Sequence, residues 1–316
     1  MSQILVTGGA GFIGSHLVDA LLGENEKIVV IDNLSMGDEN NLPSHKNITF
    51  IKGDLSEPGL VREVFNQYTI KSIFHLGAVA SVVASIDSPL ETHRTNMDGT
   101  LLLLEAAKKH GVERFVFASS AAIFGDEETL PKTEESIIKP LTPYAIDKYG
   151  SEQYVIAYNR LYQLPTTVLR FFNVFGNRQN PSSPYSGVVS ILTDKFKKMK
   201  KHEEDSFILY GEGDQTRDFI HVNDVVKALL LVMEREEAVG EIFNLGTGTS
   251  TSLKQLIEIY ERVTGFTLPI IKKDERSGDI KYSYTSIAKI KSIGYTPDYS
   301  VEEGLKLYWE KECESL

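Results

Sequence analysis

Ile4-Leu5-Val6-Thr7-Gly8-Gly9-Ala10-Gly11-Phe12-Ile13-Gly14 joins a short apolar run to three spaced glycines. The run is rich in branched side chains and suits a buried parallel strand. Gly9-x-Gly11-x-x-Gly14 then turns the chain into a helix. Such glycines permit a tight turn, close approach of backbone to a pyrophosphate, and close helix–strand packing. The helix N-terminus adds free N–H groups and a positive dipole end. A second apolar run, Ile28-Val29-Val30-Ile31, ends in Asp32, eighteen residues past Gly14. An acid at that place holds the adenosine ribose hydroxyls of a dinucleotide. Asn33-Leu34-Ser35 follows, with no Arg or Lys beside Asp32. That favours NAD over NADP, whose extra phosphate an Asp repels.

Strand-like and helix-like segments alternate outward from this unit. Strands are expected near 4–7, 28–31, 48–51, 72–76, 114–119 and 166–170, and helices over 12–22, 58–67, 97–110 and 142–162. The alternation predicts an α/β fold: a Rossmann-type, doubly wound parallel sheet. Gly53-Asp54-Leu55 and His75-Leu76-Gly77-Ala78 end the third and fourth strands, at the edge where such sheets bind ligands. Residues 177–187, NRQNPSSPYSG, read as a loop. Beyond it the pattern is less regular, with one more strand at Ile242 to Leu245 and a helix over 252–263. The expected organisation is a dinucleotide-binding domain of residues 1–176, to which 218–247 return. A smaller α/β lobe of 177–217 and 248–316 binds the substrate.

The chain has 316 residues, 41% apolar and 24% charged, which is ordinary for a globular protein. No apolar stretch approaches membrane-spanning length, and the N-terminal residues are expected to form a strand and not a signal peptide. Cys313 is the only cysteine, so an internal disulfide and a thiolate metal site are excluded. A reducing cytoplasm fits. The net charge of −11 makes nucleic acid an improbable partner. The one basic run, Lys195 to Lys201 (KFKKMKK), is broken by apolar residues and reads as a solvated helix face.

The chemistry gathers in Thr142-Pro143-Tyr144-Ala145-Ile146-Asp147-Lys148. Thr142 suits a helix cap and Pro143 the first turn. Tyr144 and Lys148, at i and i+4, share a face, so the ammonium can sit beneath the phenol. A free phenol titrates near ~10 and is a poor base at neutral pH. A nearby cation and the helix dipole both lower that value. Upstream, Phe117-Ala118-Ser119-Ser120 ends a strand at the carboxyl edge of the sheet. Ser120, Tyr144 and Lys148 thus surround one place beside a hydride acceptor. His75 and His221 border apolar strands and read as structural. No His, Asp and Glu spacing suggests a metal.

With these residues in hand, Thr7 to Gly14, Asp32, Asp54-Leu55, Asn96, Ser120, Tyr144 and Lys148 resemble the extended short-chain dehydrogenase/reductase superfamily. Leu169 to Gly176 (LRFFNVFG), Gly213 to Val222 (GDQTRDFIHV) and Arg276-Ser277-Gly278-Asp279 look like its nucleotide-sugar branch, above all the NAD-dependent UDP-hexose 4-epimerases acting on UDP-N-acetylglucosamine. The resemblance implies Ser120 and Tyr144 at the sugar 4-hydroxyl and Lys148 at the nicotinamide ribose. It implies tightly bound NAD held by Gly8, Gly11, Phe12, Ile13, Gly14, Asp32, Asn33, Asp54, Leu55, Leu76, Ala78, Asn96, Ser119, Tyr144, Lys148 and Phe171. It implies substrate contacts from Ser81, Ser120, Tyr144, Asn173, Val188, Arg217, Arg276, Asp279 and Ser283. Guanidinium forks suit the two charges of a UDP-sugar. The helix over 97–110, with Met97, Leu101, Leu104 and Ala107, and the Tyr144 helix are those through which the superfamily forms homodimers.

Ser120 is followed by Ala121-Ala122, where the family's 4,6-dehydratases carry Asp-Glu. No side chain there transfers a proton, so dehydration is disfavoured. Ser283 stands four residues after Asp279, where a Tyr resembles enzymes limited to unacetylated sugars and a small residue leaves room for an acetamido group. Phe124 stands where the family often has Tyr. Three other readings remain: a UDP-uronate 4-epimerase or dehydratase, a redox dehydrogenase releasing NADH, and a non-catalytic NAD-binding regulator.

Overall fold

Gln3–Thr7 is an interior strand of the main sheet, and four of its five residues are buried. The computed structural model describes residues 2–179, 187–203, 205–275 and 280–314. The chain begins β1 (Gln3–Thr7), α1 (Phe12–Gly23), β2 (Ile28–Asp32), β3 (Ile48–Lys52), α2 (Pro58–Gln67), β4 (Ile70–His75), α3 (Val82–Asp87) and α4 (Pro89–His93). A π-helical turn, Arg94–Asp98, leads into α5 (Gly99–His110). There follow β5 (Arg114–Ser120), α6 (Pro143–Tyr162), β6 (Thr166–Phe171), β7 (Asn173–Phe175), α7 (Val188–Lys200), β8 (Phe207–Tyr210), β9 (Thr216–Arg217) and β10 (Phe219–His221). The last part holds α8 (Val222–Glu234), β11 (Ile242–Leu245), β12 (Thr251–Ser252), α9 (Leu253–Thr264), β13 (Ile270–Lys273), α10 (Ala288–Ser292) and α11 (Val301–Glu314).

Seven strands form one sheet in the order β11-β6-β5-β4-β1-β2-β3, and every neighbouring pair is parallel. This is the doubly wound fold expected. The chain runs outward from β1 to β3, then crosses back to lay β4 on the other side of β1. Crevices for ligands open at such a reversal, outside the carboxyl ends of the strands. One face of the sheet packs Leu17, Val18 and Leu21 of α1 with Val225, Leu229 and Val232 of α8. The other packs Val61 and Val64 of α2, Leu103, Leu104 and Ala107 of α5, and Val155 of α6. Leu104 and Ala107 therefore serve the core, not an outer face. A further cluster joins Leu192 and Phe196 of α7, Leu256 and Tyr260 of α9, and Leu305 and Trp309 of α11. The basic run lies on α7, where Lys195 pairs with Asp205, Lys197 with Glu312 and Lys198 with Asp194. Lys200 and Lys201 are exposed, so the run is a partly solvated face with three of its lysines paired to acids.

His75 and His221 are buried, and burial pushes their pKa values down from 6.5 to about 3 and about 4. Between pH 6.5 and these values the unfolded chain takes up protons that the fold refuses. Their stabilising contribution is therefore complete above pH 6.5 and is lost as pH falls. Each costs about 1.4 kcal/mol per pH unit in that window. The urea-unfolding free energy should fall by about 2 kcal/mol between pH 6.5 and 5.5, because the full slope is reached only below the unfolded pKa. A flat profile there contradicts two buried neutral imidazoles.

Candidate active site

The glycine turn shows why its residues lack side chains. A Cβ at Gly14 would stand 2.1 Å from the Gly8 carbonyl oxygen, and one at Gly8 would stand 2.8 Å from the Gly77 Cα. Gly8 also takes φ +68, a left-handed conformation suited to glycine. The turn is thereby pressed against both α1 and the loop after β4. Gly11 begins α1 without any side-chain cap, so the first N–H groups of the helix are left for an anion. Asp32 braces the turn: its Oδ2 accepts from the Ala10 N–H at 3.0 Å and its Oδ1 from the Leu34 N–H at 2.8 Å. Asn33 donates to Asp54 at 2.8 Å. Burial raises the Asp54 pKa, but hydrogen bonds from Ser56 and Asn33 outweigh it and hold the carboxylate ionised.

A cavity of about 370 Å³ lies over this turn. Its wall includes Gly8, Gly11, Phe12, Ile13, Gly14, Asp32, Asn33, Leu55, Leu76, Ala78, Ser81, Ser119, Ser120, Tyr144, Lys148 and Phe171. An uncapped helix start, a ribose-side carboxylate and a far end bearing a phenol and an ammonium fit a dinucleotide such as NAD. Asp54 stands just behind the wall, bonded to Asn33. Asn96 is placed differently from the expectation. Its Oδ1 accepts from the Val79 N–H at 2.8 Å and its Nδ2 donates to the Val79 carbonyl at 3.2 Å. Asn96 thus secures the loop after β4, while its neighbour Thr95 reaches the cavity.

At the far end, Thr142 accepts from the Ala145 N–H at 3.3 Å, and Pro143 opens α6. These fix the turn that carries Tyr144. Burial raises the phenol's pKa, and a hydrogen bond from Ser120 opposes the rise without cancelling it. Lys148 donates to the Ala118 carbonyl at 2.8 Å, and burial lowers its pKa to about 8. The spacing i, i+4 predicted an ammonium that lowers the phenol's pKa. Here the tyrosine's value is raised, because burial desolvates the phenol; Lys148 is engaged by the β5 carbonyl of Ala118.

A second cavity of about 770 Å³ adjoins the first, and Val174, Gln179 and Gly187 line both. Asn173, Val188 and Arg217 are in its wall, with Tyr210 and Gln215, which local spacing had not marked. The backbone N–H and side-chain amide of Asn173 both donate to the Asp218 carbonyl, at 3.0 and 3.1 Å. The Asp218 carboxylate accepts from Thr247 and from the Gly248 N–H, so it folds the loop after β11. Phe124 is buried beneath Arg170 and Lys132, with Arg170 Cζ 5.3 Å from its ring centroid. It lines neither cavity.

Ser283 is half-buried and outside both walls. Its segment is stitched between two distant ones by main-chain bonds. Thr216 N donates to Lys281 O at 2.8 Å and Ser283 N to Thr216 O at 3.1 Å. Lys132 N donates to Tyr284 O at 2.9 Å and Ser286 N to Lys132 O at 2.8 Å. Arg276 and Asp279 lie outside the described residues, as do residues 180–186 of the expected 177–187 loop. Among the described residues no His, Cys, Asp and Glu cluster suits a metal, and no helix is long and apolar enough to cross a membrane.

A buried ionic group also escaped the sequence reading. Glu152, fully buried, takes Arg170 Nη2 at 2.6 Å and Nε at 3.1 Å, and the Ser119 hydroxyl at 2.8 Å. The available signal was its place at i+8 from Tyr144 and i+4 from Lys148, on the same face of α6. The partner, Arg170, could not be read from spacing.

Residues 4–246 match the model of the NAD dependent epimerase/dehydratase family. A putative UDP-glucose 4-epimerase of Methanocaldococcus jannaschii is 38% identical over 96% of each chain. The solved UDP-glucose 4-epimerase of Thermotoga maritima, with UDP-glucose, is 39% identical over 99% of each chain, with a TM-score of 0.92. The UDP-N-acetylglucosamine 4-epimerase of Methanobrevibacter ruminantium, solved with UDP-N-acetylmuramic acid, is 36% identical over 100% of this chain and 99% of its own, with a TM-score of 0.91. The chain therefore belongs to the NAD-dependent epimerase/dehydratase family, as an NAD-using enzyme of its epimerase class.

Proposed function

We propose that the chain inverts C4 of UDP-sugars, with UDP-N-acetylglucosamine and UDP-N-acetylgalactosamine as the pair it serves and UDP-glucose and UDP-galactose also accepted. The observation that carries this is the meeting of Ser120, Tyr144 and Lys148 at the end of one cavity, beside a second cavity lined by Asn173 and Arg217. NAD, when bound, supplies a hydride acceptor and later donor, so the cycle is redox-neutral. Tyr144 takes the proton of the 4-hydroxyl and returns it. Ser120 orients that oxygen, and Lys148 holds the nicotinamide-side ribose. Asn173 and Arg217 hold the diphosphate, joined by Arg276, with Asp279 on the uridine ribose. Anchoring the nucleotide leaves the 4-keto sugar free to present its other face. Ala121 and Ala122 offer no acid for dehydration.

Under this reading, residues 1–176 and 218–247 form the cofactor domain and the rest the substrate lobe. Support comes from β11 in the main sheet and α8 against α1. A homodimer is part of the same proposal: Ile146 and Leu161 on α6 are 55% and 70% exposed, and Leu90 on α4 is 74% exposed. Incubation with UDP-N-acetylglucosamine, UDP-glucose and UDP-glucuronate, each followed by NMR, tests the reaction. C4 epimers from the first two are expected. A uronate epimer alone, a 4-keto-6-deoxy product, or accumulating absorbance at 340 nm each replaces this reading.

The N-acetyl preference rests on Ser283. Ser283→Tyr should lower the ratio of kcat/KM for UDP-N-acetylglucosamine over UDP-glucose by about tenfold, equivalent to ~1.4 kcal/mol. Ser283 lies outside both cavity walls, so what supports the gate is the resemblance at that position and the bond from its N–H to the Thr216 carbonyl, beside Arg217 of the second cavity. Equal loss on both substrates removes Ser283 as the gate and the acetamido preference with it.

A further inference from the structure

His75 takes no part in the chemistry above, yet it lies at the centre of a directed hydrogen-bond chain. It is 1% exposed, at the end of β4, and its ring packs against Phe115 and Phe117. Nδ1 is 2.7 Å from the Thr7 hydroxyl and Nε2 is 2.9 Å from the Thr100 hydroxyl. The directions follow from the outer partners. Thr100 donates its one hydroxyl hydrogen to the Asn96 carbonyl at 2.6 Å, so its oxygen must accept from His75. Nε2 therefore carries the proton, and Nδ1 accepts from Thr7. Thr7 in turn accepts from the Gly77 N–H at 3.0 Å. Every hydrogen along Gly77–Thr7–His75–Thr100–Asn96 has one acceptor. The ends of the chain are segments of the cofactor cavity: Gly77 and Val79 on one side, Thr95 on the other, with Asn96 gripping Val79 through both its amide atoms.

We infer that His75, as the neutral tautomer protonated on Nε2, is a positioning residue for NAD: it locks the loop after β4 to the glycine turn and to the π-helical turn before α5. An imidazolium would offer a hydrogen to Thr7 where the chain needs a bare nitrogen. Burial among apolar rings holds the neutral form, consistent with the lowered pKa. The π-helical turn has a role in this scheme. It sets the Asn96 carbonyl toward Thr100 while the Asn96 amide reaches Val79. Such turns inside helices often accompany functional sites. The inference needs only NAD in the first cavity, so it stands apart from the identity of the sugar.

The test uses Thr100→Val, which keeps shape and orphans the Nε2–H, and Thr100→Ser, which keeps the hydroxyl. An unpaired buried donor is costly enough to shift NAD affinity by about tenfold. Thr100→Val should weaken NAD binding by that factor in calorimetry, with kcat at saturating NAD changed by less than about threefold. Thr100→Ser should restore wild-type affinity. Hydrogen exchange at the Gly77 and Val79 amides should quicken in the valine variant only. In the wild-type protein, imidazole 15N shifts should report a protonated Nε2 and a bare Nδ1 at neutral pH. Lost thermal stability with unchanged NAD affinity would make the chain core packing alone and overturn the inference. An Nδ1–H tautomer, or an imidazolium, overturns it too, and that measurement stands even if Thr100→Val fails to fold.

Discussion

Tyr144→Phe should lower kcat by at least ~100-fold, the usual lower end for a lost general base. KM for the UDP-sugar should change far less, because the diphosphate contacts remain. The structure makes the result sharper than the sequence does. Burial raises the phenol's pKa, and Lys148 is engaged by the Ala118 carbonyl. Ser120 alone among the described neighbours pushes toward the phenolate. Ser120→Ala should therefore also lower kcat and move the rising limb of its pH profile upward, since the phenolate loses its donor. NMR-monitored turnover of both variants over pH 6 to 9, roughly the working range of such a base, checks the pair. Near-normal turnover by Tyr144→Phe removes it from the mechanism.

Glu152→Ala should be the most destabilising of the substitutions considered, by about 3–5 kcal/mol, because it leaves Arg170 buried without its counter-charge. The side chains are 3% and 0% exposed, so water cannot substitute. Ser119 loses its acceptor in the same step. Replacing both partners, Glu152→Leu with Arg170→Met, should recover most of the loss, since an apolar pair needs no compensation. Urea unfolding of the single and double variants decides. A single variant within about 1 kcal/mol of wild type means that the pair is not dry.

What the sequence made legible was local. The glycine turn, Asp32 at the end of β2, and Tyr144 with Lys148 all depend on spacings within one element or its neighbour, and backbone geometry fixes those. Three features were not legible, and each needed a tertiary partner. Lys148 finds the Ala118 carbonyl, thirty residues away on β5. Asn96 turns to Val79 because a π-helical turn, invisible as periodicity, redirects it. Leu104 and Ala107 read equally well as an outer stripe or as core; the sheet claimed them. Phe124 shows the same limit, since no pattern reveals that two cations lie over its ring.

The stitched segment from Lys281 to Ser286 has a bearing on how such an enzyme changes its substrate over generations. Its place is held by amides and carbonyls shared with Thr216 and Lys132, groups that every residue but proline supplies. Side chains at 281 to 284 can thus be exchanged while the register stays put. If Ser283 gates the sugar as proposed, selectivity is a variable carried on a fixed frame, open to change in single steps without loss of the fold.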